Sequence, residues 1–324
     1  MILVTGGAGF IGSNLQAELH ARGLETIISD RLGSAGKWRN IARHAPHRII
    51  HPDELDDWLD THPPLEAVFH MAAISQTMAK DGDHVWRTNV ELSLKLWEWC
   101  AHRSVRFIYA SSAATYGDGE NGFDDDPAAL AQLSPLNLYG WSKHVFDTRV
   151  VDMLARGAPK PPQWAGLKFF NVYGPNEYHK GSMVSFVRVK YDEIAASKPV
   201  TLFRSTVPGI ADGAQSRDFV HVFDAVKVML WLLDNPGVNG IFNVGTGVAR
   251  TYLDLAHAVC DAAGAPRNVV FVDMPDALHG QYQNFTCARI DRLRAAGYGQ
   301  EFLTVEEGVT NYIRNYLMQP NPYR

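Results

Sequence analysis

A chain of 324 residues that is 46% apolar and 20% charged, with a formal net charge of −5, can bury one large core or two smaller ones. The slight acidity offers no basic footprint for DNA or RNA, so nucleic acid is not an expected partner. Cys100, Cys260 and Cys287 are far apart and show no CxxC spacing, which predicts no disulfide framework and no metal site and fits a reducing compartment.

The opening "MILVTGGAGF" lacks a basic leader and turns to glycine after five residues. It reads as neither signal peptide nor membrane span, so a cytoplasmic protein without a membrane partner is expected. Apolar runs bounded by glycine and acids then alternate with helix-period segments, the pattern of βαβ units. Strands are predicted at 1–6, 25–30, 65–73, 105–112 and 166–174, and helices with an apolar stripe at 10–23 and 84–103. Beyond about residue 175 the rhythm loosens, with loops at 204–217 and 275–284 and a strand at 240–245. The expected fold is α/β, a Rossmann-type doubly wound parallel sheet with a smaller α/β substrate lobe. Residues 1–170, with returns near 216–245 and 282–300, make the dinucleotide-binding domain; 171–215, 246–281 and 301–324 make the lobe.

"VTGGAGFIGSN" sets Gly6, Gly9 and Gly12 directly after a strand and at the start of a helix. Glycines there allow a tight turn and close backbone approach to a pyrophosphate, and the helix N-terminus stabilises its charge. Asp30 ends the second strand, where an acid accepts hydrogen bonds from the adenosine ribose, as NAD requires. Arg31 and Lys37 follow in the same loop and would meet a 2′-phosphate. The motif leaves both cofactors open; the two cations tilt the reading toward NADP, with NAD possible.

In "PLNLYGWSKHVFD" (135–147), Tyr139 and Lys143 are four positions apart on a helical stretch. The period sets the ammonium beside the phenol, where it favours the ionised form of an otherwise poor base.

Together "TGGAGFIG", "HMAA" (70–73), "SSAATYG" (111–117) and "YGWSK" (139–143) resemble the extended short-chain dehydrogenase/reductase family, the group that modifies nucleotide-sugars, over nearly the whole chain. Within it, "PLNLYGWSK", "FFNVYGPNEYHKGSM", "RDFVHVFDA", "IFNVGTG" and "GQYQNFT" are similar to the branch that inverts C6 of ADP-glycero-manno-heptose for lipopolysaccharide core synthesis.

The resemblance implies that Ser112 is the active-site serine and Tyr139 an acid/base. Lys143 would hold the nicotinamide ribose and lower the tyrosine's pKa, and Lys180 would be a second acid/base. It extends the cofactor-binding set of Gly6, Gly9, Gly12, Asp30, Arg31 and Lys37 to Phe10, Ile11, Met71, Ala72, Ala73, Ile74, Ser75, Asn89, Lys143 and Val172. Substrate-binding positions fall at Asn171, Ser182, Phe203, Arg204, Ser205, Thr206, Arg217 and Tyr282, with Arg217 suited to a diphosphate. A homo-oligomer, a pentamer by resemblance, is also implied. Three departures bear on the sugar nucleotide. "FRST" (203–206) stands where the family has a Phe-Glu-Gly-Ser-like run, Val189 replaces a histidine ligand, and Met71 replaces an acid. The rival readings are a UDP-hexose 4-epimerase and a non-catalytic NAD(P)-binding regulator. A 4,6-dehydratase would need acids where Ala113 and Ala114 stand.

Overall fold

The structure, a computed structural model, describes residues 1–61, 65–275 and 283–324. The chain begins with β1 (Ile2–Thr5), α1 (Phe10–Ala21), β2 (Thr26–Ser29), β3 (Arg48–Ile50), α2 (Leu55–Thr61), β4 (Ala67–His70), α3 (Gly82–Trp86), α4 (Leu92–Arg103) and β5 (Arg106–Ser112). It continues through α5 (Leu138–Ala155), β6 (Trp164–Phe169), β7 (Asn171–Tyr173), α6 (Phe186–Ala195), β8 (Val200–Phe203), β9 (Ser216–His221), α7 (Val222–Asp234) and β10 (Gly240–Val244). The last elements are β11 (Ala249–Thr251), α8 (Tyr252–Ala263), β12 (Val269–Val272), α9 (Asp291–Ala295) and α10 (Val305–Tyr312).

Seven strands pair in parallel in the order β10-β6-β5-β4-β1-β2-β3. Both faces of this sheet are covered, which is why its strands read as continuous apolar runs rather than alternating ones. In β1 the side chains of Ile2 and Val4 join a core with Leu15 of α1 and Met229 of α7, while Leu3 joins the opposite core with Trp97 of α4 and Phe146 of α5. A smaller sheet pairs β7 in parallel with β9 and β9 antiparallel with β11. Its core gathers Tyr173, Phe219, Val259, Val309 and Tyr312. β8 and β12 form a third, two-stranded parallel sheet.

Two sequence expectations are corrected. The run 166–174 is not one strand: β6 ends at Phe169, Phe170 donates to Val244 of β10, and β7 leaves for the small sheet. Apolar residues occur on both sides of the break because both cores accept them. The segment 84–103 is not a uniform helix either; a π turn spans Arg87–Glu91 between α3 and α4. Within 216–245, β9 belongs to the small sheet, and α7 and β10 return to the large one.

Where β7 exits, Asn176 holds three segments together. Its backbone is left-handed (φ 73°). Its buried amide donates to Ser13 Oγ and to the Asn40 carbonyl, and its Oδ1 accepts from the Arg324 backbone N–H at 3.0 Å. Asn176→Ala removes these bonds and leaves a Cβ residue in a left-handed turn without asparagine's local compensation. It is expected to destabilise the fold by about 3 kcal/mol, read as a lower midpoint in urea, with Asn176→Gly intermediate.

Candidate functional site

The carboxyl ends of β1, β2, β4, β5 and β6 open on one cleft of about 860 Å³, at the point where neighbouring strands connect in opposite directions. Gly6, Gly9 and Gly12 form its floor. Gly6 has a positive φ (68°), and a Cβ there would lie 2.7 Å from the Ala72 nitrogen; one on Gly12 would lie 2.3 Å from the Gly6 carbonyl oxygen. The turn is therefore as tight as a pyrophosphate-binding turn must be. Asp30 Oδ2 accepts from the Ala8 N–H at 2.9 Å, which fixes the loop, and Oδ1 accepts from Lys37 Nζ at 2.5 Å. Arg31 reaches the rim and pairs with Asp53 at 2.5 Å. Turn, acid and cations fit a nicotinamide dinucleotide.

Behind the opposite wall runs a polar chain. Ser93 donates to the Asn89 carbonyl, so its Oγ accepts from His70 Nε2, and His70 Nδ1 then accepts from the Thr5 hydroxyl at 2.7 Å. Burial keeps this imidazole neutral, its pKa lowered to about 3. Asn89 clasps both the N–H and the carbonyl of Ile74 and donates to Ser142 Oγ. The wall Met71–Ser75 is thereby tied to α5, which carries Tyr139.

Asn137 caps α5 by accepting from the Gly140 N–H at 2.9 Å, which puts Tyr139 in the first turn. Gly140 lets that turn approach the segment after β5: a Cβ there would lie 2.5 Å from the Ala114 carbonyl oxygen. Ser112 ends β5 with its hydroxyl hydrogen-bonded to the Tyr139 phenol, and Lys143 is buried one turn further along the helix. Burial lowers the Lys143 pKa to about 8, opposed by the charge of Asp147. The expected lowering of the Tyr139 pKa is not what these side chains give: burial raises it, the Ser112 bond acts downward, and Asp147 adds to the rise. Desolvation of the phenolate is the largest of these causes.

From the turn after β7, Lys180 enters the same cleft with its ammonium 5.0 Å from the centre of the Phe10 ring. Burial lowers its pKa and the Glu177 carboxylate opposes. Glu177 is itself buried and accepts from the Ser185 and Tyr312 hydroxyls.

The cleft thus brings together Gly6, Gly9, Phe10, Ile11, Gly12, Asp30, Arg31, Lys37, the wall 71–75, Ser112, Tyr139, Lys143, Asn171, Val172 and Lys180. Asn89 stands behind the lining. Ser182 is exposed off it. Phe203 ends β8, while Arg204 pairs with Asp212 and Asp273, and the Ser205 N–H donates to Asp212, all away from the lining. Thr206 follows there too. Arg217 is one layer behind, its guanidinium 5.7 Å from the ring of Tyr252, which lines the cleft. Tyr282 lies outside the described residues, as does most of the predicted loop 275–284. Sequence reasoning passed over His84, Arg87, Thr88, His179 and Gln283, which also line the cleft. The polar positions 84, 87 and 88, at helical spacing before Asn89, were the available signal.

The sequence model of the NAD dependent epimerase/dehydratase family matches residues 2–245. The chain belongs to that family. With membership comes a nicotinamide cofactor, for which the glycine turn is shaped. Over its full length the chain is 46% identical to a protein from Nitratidesulfovibrio vulgaris named ADP-L-glycero-D-manno-heptose-6-epimerase, and covers all of that relative. Among solved structures it resembles the Helicobacter pylori ADP-L-glycero-D-manno-heptose-6-epimerase (TM-score 0.78, 26% identity, 97% of this chain and 95% of that one). It also resembles the Thermus thermophilus UDP-glucose 4-epimerase in complex with NAD (TM-score 0.74, 26% identity, 96% and 97%).

Gly140→Ala should gain up to about 1 kcal/mol of helix propensity yet force α5 away from Ala114. Steady-state kinetics are expected to show kcat reduced at least about tenfold, because sub-ångström misplacement of a proton carrier is costly, with cofactor affinity unchanged.

Proposed function

We propose that this protein is a nucleotide-sugar epimerase that inverts C6 of ADP-glycero-manno-heptose, using NADP, in lipopolysaccharide core synthesis. The observation that carries the reading is the presence in one cleft of two proton carriers from different parts of the fold: Tyr139 with Ser112 and Lys143 on one side, Lys180 from the turn after β7 on the other. The full-length likeness to proteins named as heptose 6-epimerases supports the choice of sugar. A cytoplasmic location and a homo-oligomer belong to the same reading. Among the described residues no helix is long and apolar enough to cross a membrane.

The Gly6–Gly12 turn would hold the pyrophosphate of the dinucleotide, Asp30 with Arg31 and Lys37 the adenosine ribose and its 2′-phosphate, and Lys143 the nicotinamide ribose. When bound, the nicotinamide supplies a hydride acceptor and donor, so that C6 passes through a ketone without net redox change. Tyr139, hydrogen-bonded to Ser112, takes the hydroxyl proton in one orientation of the sugar's side arm. After that arm turns about its exocyclic bond, Lys180 delivers a proton to the ketone oxygen from the other side. Burial favours this role for Lys180, since it brings the ammonium's pKa down toward the working range of an acid/base. Lys37 neutralises Asp30, the acid that would otherwise repel a 2′-phosphate. This favours NADP over NAD.

Incubation with ADP-heptose and with UDP-hexoses, followed by NMR of the epimer ratio, tests the assignment; turnover of a UDP-hexose alone would return the 4-epimerase reading. Tyr139→Phe is expected to lower the rate at least about 100-fold while the protein stays folded. Lys180→Ala is expected to stop epimerisation yet still exchange hydride with an aldehyde analogue lacking C7. Near-normal epimerisation by that variant would reduce Lys180 to a surface or binding residue. For the cofactor, Lys37→Ala should weaken NADP binding about tenfold or more in calorimetry and leave NAD binding equal or tighter.

A further inference from the structure

Beneath the reaction centre lies a pair of charges that the chemistry above does not use. Asp147 and Lys168 are both fully buried, with 3.2 Å between Lys168 Nζ and Asp147 Oδ2, and neither lines the cleft. Asp147 follows Lys143 by one helical turn as Lys143 follows Tyr139, so the three share one face of α5. Its carboxylate accepts from the Tyr109 hydroxyl at 3.0 Å and the Ser111 hydroxyl at 2.6 Å, both on β5. Gly166 of β6 makes room for the first of these donors: a Cβ there would lie 2.4 Å from the Tyr109 oxygen. Lys168 donates to Thr115 Oγ1 at 2.7 Å, and Thr115 donates to the Ser112 carbonyl at 2.8 Å. The Lys168 ammonium also lies 4.7 Å from the Tyr116 ring centre.

Stability alone does not account for this arrangement. Taking two ions out of water costs several kcal/mol each, and an apolar pair of similar volume commonly holds a fold as well or better. Two branches of the cluster instead lead to residues of the reaction centre. One branch runs through α5 to Lys143 and Tyr139, the other through Ser111 and Thr115 to Ser112.

We propose that Asp147 and Lys168 act as one positioning unit, Asp147 serving as the counter-charge of Lys143 and Lys168 tying that carboxylate to the strand end that carries Ser112. The proposal rests on the reading of Lys143 as a charged member of the reaction centre. The ionisable groups around the cluster are Tyr139, Lys143 and His144 on α5, His70 from β4, Tyr109 from β5, Lys168 from β6, and Tyr116 and Asp125 from the segment after β5. Burial keeps His70 neutral and raises the Tyr109 pKa far above its ordinary value, and Asp147 is the group that opposes the desolvation of Lys143.

The test is to titrate Lys143 by NMR in protein carrying lysine labelled at the ε-carbon, the resonance being assigned by its loss in Lys143→Met. In Asp147→Asn the midpoint should fall by at least about one pH unit, from a wild-type value near 8. The alkaline limb of kcat/KM should move to lower pH by the same amount, so that activity is lost more at alkaline than at acid pH. If the single variant fails to fold around an orphaned Lys168, Asp147→Asn/Lys168→Met removes both charges; it should keep the fold and show the same fall. An unmoved Lys143 midpoint in either folded variant overturns the proposal and leaves the pair a structural element. The NMR titration needs no sugar, so an enzyme inactive toward ADP-heptose would count against the functional reading and not against this one.

Discussion

The arrangement depends on one constraint: the strands of a parallel sheet all end on the same side, so every loop leaving a carboxyl end competes for a single crevice. Thr5, Ser29, His70, Ser112 and Phe169 are the ends of five of the seven strands. The glycine turn after β1 is flattened enough for a Cβ on Gly6 to meet the Ala72 backbone, so the first and fourth strands deliver their loops side by side. α5 must then come down almost onto the backbone after β5, and Gly140 is the residue that permits it. Tyr139 faces Ser112 because two backbones nearly touch.

Burial also shapes the chemistry. The large sheet and α5 carry charged and polar side chains in a dry interior: His70, Asp147, Lys168 and Lys143 are all nearly or fully buried. His70, Asp147 and Lys168 are each answered by a specific partner, since an unpaired polar group in such a place is costly. His70, kept neutral by burial, accepts from Thr5 and donates to Ser93, and Lys168 has Asp147 and Thr115. The wall of the cleft is therefore held from behind by hydrogen bonds whose donors and acceptors are largely determined.

Much of this was legible in the residues. The spacing of Gly6, Gly9 and Gly12 after an apolar run placed the dinucleotide turn, and the helical spacing of Tyr139 and Lys143 placed them on one face. The substrate side was harder to read. The stretch 203–206 lies beyond the cleft lining because β8 pairs with β12 in a sheet of its own, and Arg217 sits on β9 between β7 and β11; pairing between segments so distant in sequence leaves no local periodic signal. The break between β6 and β7 was hidden for a related reason: both cores accept the same apolar residues. The direction of the Tyr139 shift depended on how much water the fold removes, which the spacing of two side chains does not report.

The π turn at Arg87–Glu91 has a consequence for how this wall could have arisen. A π turn holds one residue more than the helical turn it replaces, so the helix upstream is rotated by about 100° relative to an uninterrupted α-helix. His84 upstream, with Arg87 and Thr88 in the turn itself, borders the cleft, while Leu96 and Trp97 downstream remain in the core. Deleting a single residue from the turn would leave the α4 packing intact and carry the upstream polar face away from the substrate. One codon there is a lever on what the cleft accepts, separate from any change in the chemistry of its side chains.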